Sequence, residues 1–232
     1  MNLLSRFFGR KPSLSEQDAC RLAAWSKLAP ADLAGPLNQS RCVVVDVETS
    51  GLNPSRDRLL AIGAVAVANG AVQLGDSFEI VLQQQTVSAH DNILVHGISG
   101  AIQVGGVLPG EALLRFLAYL GKSPLVAFHA RFDQTMIKRA LKEFLGMRFK
   151  QPWLDLAHIL PELNPQENHP SLDAWLEHFG ITNYARHNAL SDAVATAQLF
   201  LIAQRKCQEK GIDSFSALLD LEKSHLLRDL KR

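Results

Sequence analysis

Asp46 and Glu48 stand two positions apart at the end of the apolar run Val43-Val44-Val45 and just before Thr49-Ser50-Gly51. Side chains at i and i+2 of a strand share a face, so both carboxylates would emerge together where strand gives way to turn. Two close carboxylates repel and raise each other's pKa unless a cation lies between them, which makes a hard divalent metal the economical explanation. From these residues alone, a solvated pair opening a loop is an equally good account. A third acid, Asp133, follows the apolar run Leu125 to Phe128 in His129-Ala130-Arg131-Phe132-Asp133. It falls in the first turn of the next helix, where capping and the helix dipole favour an aspartate without any chemistry. A fourth, Asp192, comes five residues after His187 in His187-Asn188-Ala189-Leu190-Ser191-Asp192. Residues five apart on one helix would differ by about 140° around its axis. His187 is therefore expected just before the helix, on a loop from which it can swing toward a site that Asp192 anchors.

The elements that must position these groups can be read from periodicity. Cys42 to Val47, Leu59 to Ala68 and Ala71 to Leu82 have strand character, and Asn69-Gly70 between the last two is a strong hairpin signal because both residues tolerate positive φ. Three antiparallel strands follow from this. After Pro109 the period becomes helical through Leu120, a strand spans Leu125 to Phe128, and a helix spans Phe132 to Leu145. Further helical patterns cover Asp155 to Leu160, Ser171 to Phe179, Ala189 to Gln204 and Phe215 to Leu230. The third of these is rich in alanine (Ala189, Ala193, Ala195, Ala197), which permits close packing on a sheet. The expected class is α/β, with ligands at the carboxyl ends of strands.

Residues 1–40 read as an N-terminal helical arm. Leu3, Leu4, Phe7 and Phe8 have helical spacing, and a second helical pattern runs from Ser15 to about Leu28, with a possible capping box from Ser13 to Glu16. Packing of this arm on its own domain is the simplest expectation, and a helix that docks a protein partner or a membrane surface is the sharper one. The chain divides into the arm (1–40), a central domain (41–205) and a C-terminal helical extension (206–232).

Composition narrows the function classes. With 232 residues, 47% hydrophobic and 20% charged, the chain is of ordinary soluble globular type and long enough for one well-cored domain. Lys+Arg 24 against Asp+Glu 23 argues against coating a duplex by bulk charge, but not against a small local nucleic-acid site. Cys20, Cys42 and Cys207 form no CxxC pair, so neither a disulfide framework nor a cysteine zinc site is expected, and a reducing cytoplasm is the expected compartment. The longest apolar run, Leu59 to Ala68, is too short to cross a bilayer, and residues 1–10 lack the pattern of an export signal, so no membrane association is expected.

Taken together, the D-x-E pair, the later Asp and the H-x(4)-D spacing on an α/β background resemble the DEDD superfamily of 3′ to 5′ exonucleases. The DEDDh branch is the nearer match, and it includes epsilon proofreading subunits, ribonuclease T and oligoribonuclease. The resemblance runs from about Arg41 to Ala203. Asp46 to Leu52 is similar to the first motif, Val95-His96-Gly97-Ile98 to a loop near the substrate end, and His187 to Phe200 to the third motif. One departure is that Phe128-His129 stand where many members have His-Asn.

The resemblance implies a ribonuclease-H-like mixed sheet, three antiparallel strands then parallel ones, flanked by helices. It also implies a two-metal hydrolysis with Asp46, Glu48, Asp133 and Asp192 as ligands. All-oxygen ligation suits two Mg²⁺ ions, with Mn²⁺ able to substitute, rather than Zn²⁺. His187 is the implied general base, since an imidazole of reference pKa about 6.5 can accept a proton from attacking water near neutral pH. Thr49, Leu52, His96 and Ile98 are the implied contacts to the terminal nucleotide, with Phe132 packing beneath.

The expected substrate is the 3′ end of single-stranded DNA or RNA, DNA favoured, releasing nucleoside 5′-monophosphates. An RNA trimmer of oligoribonuclease type, a polymerase-bound proofreading subunit and a non-catalytic nucleic-acid-binding module are the alternatives. The short segment after Gly211, where epsilon-type subunits carry a long tail, favours a free-standing or differently partnered enzyme.

Overall fold

The computed structural model of the chain describes residues 14–230 except residue 168. The Leu3 to Phe8 spacing and Ser13 lie outside the described residues. The first helix, α1 (Glu16–Lys27), is capped by Ser15, whose hydroxyl accepts from the Asp18 amide at 3.1 Å, two residues later than the expected Ser13 cap. Its buried Trp25 fixes it to the rest of the chain. The indole N–H donates to the Gly121 carbonyl at 2.8 Å, and the Lys122 ammonium lies 3.3 Å from the ring centroid.

A five-stranded sheet follows, in the order β3-β2-β1-β4-β5. β1 (Cys42–Thr49), β2 (Leu59–Ala68) and β3 (Ala71–Val81) are antiparallel neighbours. β4 (Leu125–Ala127) lies parallel to β1, and β5 (Trp153–Asp155) parallel to β4. The β2–β3 turn has φ of 53° at Asn69 and 70° at Gly70, as a type I′ hairpin requires. This is the mixed sheet expected from the sequence.

Both faces of the sheet are covered. Val43, Val45 and Val47 pack with α4 (Pro109–Leu120) and α5 (Arg131–Leu145) through Leu113, Phe116, Leu117, Met136 and Ile137. Cys42 and Val44 face the other way, onto Leu199 and Phe200 of α8 (Ala189–Glu209) and Leu156 and Leu160 of α6 (Leu156–Leu163). Burial on both faces is why β1 reads as an unbroken apolar run rather than an alternating one. α8 continues without a break through residue 205, and α9 (Phe215–Asp229) packs against α6 and β5, with Phe215 and Leu218 buried in the same core. The Ser216 amide donates to the Leu33 carbonyl at 2.8 Å, tying the start of α9 to the segment that precedes β1.

Three expectations from the sequence need correction. β1 runs two residues past Val47, so Glu48 and Thr49 are strand residues. Asp155 is the last residue of β5 and the N-cap of α6, accepting from the Ala157 amide at 3.0 Å, so the helix expected from Asp155 starts one residue later. A strand of three residues offers no alternation to read. Where a plain loop was expected around Val95 to Ile98, two short helices stand, α2 (His90–His96) and α3 (Gly100–Val104). Their apolar Leu94, Val95 and Ile102 point outward, so no buried face betrays them. Among the described residues, no helix is long and apolar enough to cross a membrane.

Candidate active site

Parity along β1 places Asp46 and Glu48 on the face of Cys42 and Val44, the face that α8 covers. Asp192 lies in the first turn of α8, 2% exposed. The helix approaches closely because Gly63 is the partner of Asp46 in the β1–β2 ladder. A Cβ at Gly63 would fall 2.1 Å from the Ala189 carbonyl carbon. As a result, carboxylate oxygens of Asp46, Glu48 and Asp192 all lie within 4.8 Å of one another.

Asp133 reaches the same place from the opposite layer. It is buried in the first turn of α5, at the carboxyl end of β4 next to that of β1. It lies outside the close trio, yet its charge is the largest electrostatic contribution acting on Asp46.

The consequence is a set of carboxyls that resist ionisation. Burial, then the charges of Asp133, Asp192 and Glu48, hold Asp46 well above the usual carboxylate range. Glu48 is pushed up to about 8, first by burial and then by Asp192. Burial also raises Asp133 to about 8, against the downward pull of the Asp133 and Val47 amides. An all-oxygen donor set whose members oppose one another's charge fits hard divalent cations.

Three neighbours donate to Asp192. The Arg186 guanidinium donates to Asp192 Oδ2 at 2.6 Å and to Asp173 Oδ1 at 2.6 Å. The Asn183 amide donates to Asp192 Oδ1, and the His187 backbone N–H donates to Oδ2 at 3.1 Å. Neither Arg186 nor Asn183 was singled out from the sequence. Arg186 adjoins His187 in the chain, but nothing in its spacing marks it. Gly63 was not singled out either, although a lone glycine within an apolar strand is a signal of close backbone approach.

His187 lies on the loop before α8, exposed, with φ of 63°, and Asn188 rather than His187 caps the helix. Leu52 is 89% exposed just past the turn after β1. Thr49 is buried, its hydroxyl donating to the Gly51 carbonyl at 2.7 Å. Phe132 is partly buried against the α4/α5 core. His96 is buried and committed within its own loop: Nδ1 accepts from the Ile98 amide at 2.9 Å, and Nε2 lies 2.9 Å from Asn92 Oδ1. Of the His96 and Ile98 pair, Ile98 is the one left partly exposed. His129, in place of the usual Asn, takes a left-handed conformation at φ 58° and donates its backbone N–H to Asp155 Oδ1 at 2.9 Å.

Comparison with known proteins identifies the family. The exonuclease family model matches residues 43–200. A DNA polymerase III subunit epsilon-like protein of Rhodobacter capsulatus is 34% identical over 84% of this chain and 28% of its own length. The DNA polymerase III subunit epsilon of Aquifex aeolicus is 27% identical over 78% of this chain and 89% of its own. The chain thus spans less than a third of the first of these. In fold, E. coli exonuclease I in complex with a dT13 oligonucleotide superposes with a TM-score of 0.63 at 18% identity, covering 74% of this chain and 42% of that one. With the exonuclease family model matching most of its length, the chain belongs to that exonuclease family, as the DEDDh resemblance implied.

Proposed function

We propose that this chain hydrolyses phosphodiester bonds at the 3′ end of single-stranded nucleic acid, DNA in preference to RNA, releasing nucleoside 5′-monophosphates. The observation that carries the reading is the meeting of Asp46, Glu48 and Asp192 within 4.8 Å, with buried Asp133 beside them, at the carboxyl end of the central strand. Asp46, Glu48, Asp133 and Asp192 would hold two Mg²⁺ ions, with Mn²⁺ as substitute. When bound, such ions supply Lewis-acid activation and charge neutralisation at the phosphate.

The chain's own groups supply the rest. His187, exposed on its loop, accepts the proton of the attacking water. Leu52, exposed to solvent, acts as an apolar wedge for the terminal base, and Ile98, in the α2–α3 connection, contacts the same nucleotide. Thr49 shapes the turn that presents Leu52, His96 holds the loop of Ile98 in place, and Phe132 packs beneath. The preference for DNA draws on the polymerase relatives and on the oligonucleotide in the exonuclease I complex.

The test is incubation of 5′-labelled single-stranded DNA and RNA with the protein, in Mg²⁺ or chelator, beside Asp46→Asn and His187→Ala. A Mg²⁺-dependent ladder shortening from the 3′ end is expected on DNA, weaker on RNA, and lost in both variants. No ladder on either substrate would overturn the function. Full activity of Asp46→Asn would overturn the site. A second reading, a proofreading subunit held by a polymerase, is favoured by the epsilon names of the two relatives. It predicts faster removal of a mismatched 3′ nucleotide than of a matched one.

A further inference from the structure

A second group of metal-ligating side chains lies away from the acid cluster, where residues 164–171 connect α6 to α7 (Leu172–His178). Glu167, His169 and His178 each bring a ligand atom within 4.8 Å of the others. His169 Nε2 is 3.1 Å from Glu167 Oε2, and His178 Nδ1 is 3.6 Å from the same oxygen.

The His169 nitrogen is fully enclosed and has no aligned hydrogen bond, although the carboxylate oxygen is only 3.1 Å away. A buried ring nitrogen without a partner is costly and calls for an explanation. A simple ion pair would aim the N–H at the oxygen. Two ligands of one ion instead aim their lone pairs at a shared point beside the line joining them. We propose that Glu167, His169 and His178 bind a transition-metal ion of the Zn²⁺ type.

Bonds of 2.0–2.1 Å in a tetrahedral shell put donor atoms about 3.3 Å apart, and the two observed separations fall on either side of that value. Two imidazoles and one carboxylate form a Zn²⁺ donor set, in contrast to the oxygen-only acid cluster. The rings are held by an aromatic frame. Wholly buried Trp175 meets His169 edge-on at 4.7 Å and His178 at 5.9 Å, while Phe179 meets His178 at 4.6 Å.

Three protein ligands leave a fourth position open. Glu167 and His169 line a cleft of about 590 Å³ that also includes Phe128 and His129, which lead into Asp133. The ion would therefore clamp the 164–171 connection as one wall of that cleft.

The test uses the full chain carrying Asp46→Asn, which weakens the acid cluster's own hold on cations, with Co²⁺ and Zn²⁺ as probes. Four-coordinate Co²⁺ with imidazole ligands absorbs strongly in the visible, whereas six-coordinate oxygen ligation absorbs weakly. The expected result is one strong Co²⁺ spectrum per chain, displaced by one equivalent of Zn²⁺, and absent after His169→Gln or His178→Gln. Each variant should melt with its parent in chelator yet lose the upward shift that Zn²⁺ gives the parent. If His169→Gln fails to fold, Glu167→Gln gives the same readout without touching the enclosed ring. Absence of the spectrum in the parent, or its persistence in the folded variants, would overturn the site.

Discussion

Replacing Gly63 with alanine should cripple catalysis by moving a helix rather than by removing a functional group. The new Cβ would lie 2.1 Å from the Ala189 carbonyl carbon and 2.2 Å from the Leu190 nitrogen. Both are backbone atoms of the first turn of α8, so no rotamer change can make room. Carbon atoms in contact sit about 3.5 Å or more apart, so the helix start must retreat by more than about 1 Å. Asp192 is one turn in from Ala189 and moves with it, away from Asp46 and Glu48, which stay on the central strand. A displacement of about 1 Å in a catalytic group costs on the order of 100-fold in rate. The overpacking itself costs about 1–3 kcal/mol, a loss of roughly 2–12 °C in melting temperature for a chain of this size. The assay is mononucleotide release from single-stranded DNA at saturating Mg²⁺, alongside a thermal melt. Gly75→Ala is the control, because a Cβ there meets no atom within 4 Å and its backbone is not left-handed. If Gly63→Ala kept kcat within about threefold and melted with the control, close contact between α8 and β2 would not be what sets the position of Asp192.

Three further outcomes follow from the site. Glu48 and Asp133 are raised to about 8, above the unfolded carboxylate value of about 4, so the folded chain binds protons more tightly than the unfolded one. That stability is complete below about pH 4 and is lost as pH rises toward 8. The chelated protein should therefore melt lower at pH 8.5 than at pH 6, with Mg²⁺ narrowing the gap, and a higher melting point at pH 8.5 in chelator would contradict the cluster's electrostatics. Arg186→Gln frees the Asp192 oxygen that the guanidinium engages at 2.6 Å and should lower the Mg²⁺ concentration for half-maximal activity several-fold, read by metal titration. A higher Mg²⁺ requirement would instead make Arg186 a support of the site. His129→Asn should melt at or above the wild type, because Asn tolerates φ of 58° and the backbone bond to Asp155 is kept; His129→Val, β-branched at that angle, should lose about 1–3 kcal/mol in denaturant unfolding.

The parts of this molecule that the sequence discloses are those fixed by periodicity and local chemistry. Leu59 to Ala68 is legible as a strand because it is apolar throughout and ends at Asn69-Gly70, and it matches β2 residue for residue. The placement of His187 before the helix follows from the angle between residues five apart, and Asn188 is indeed the N-cap. What stays hidden depends on partners distant in the chain. β5 is three residues long and exists because Leu125 and Val126 offer their hydrogen bonds to Trp153 and Leu154. α2 and α3 expose their apolar side chains, which defeats a reading that looks for a buried stripe. The role of Arg186 depends on a loop conformation that carries its guanidinium across to Asp192 and Asp173, and no local spacing encodes that.

The near-neutral net charge of +1 and the acid cluster belong to one physical account. Four carboxyls gathered at one end of β1 would repel a phosphate if all were ionised, and burial makes ionisation costly in any case. Arg186 is bonded to Asp192 and Asp173, and its charge pulls Asp46 and Glu48 down too little to offset their burial and mutual repulsion. A site of this kind suits cations brought from outside, which under the proposed function would supply positive charge at the phosphate. Under the proposed function a broad basic face would be unnecessary, because attraction for the backbone would be concentrated at the acid cluster. The geometry that makes this possible is a single hydrogen atom in place of a side chain at Gly63, which lets α8 carry its aspartate to within reach of the central strand.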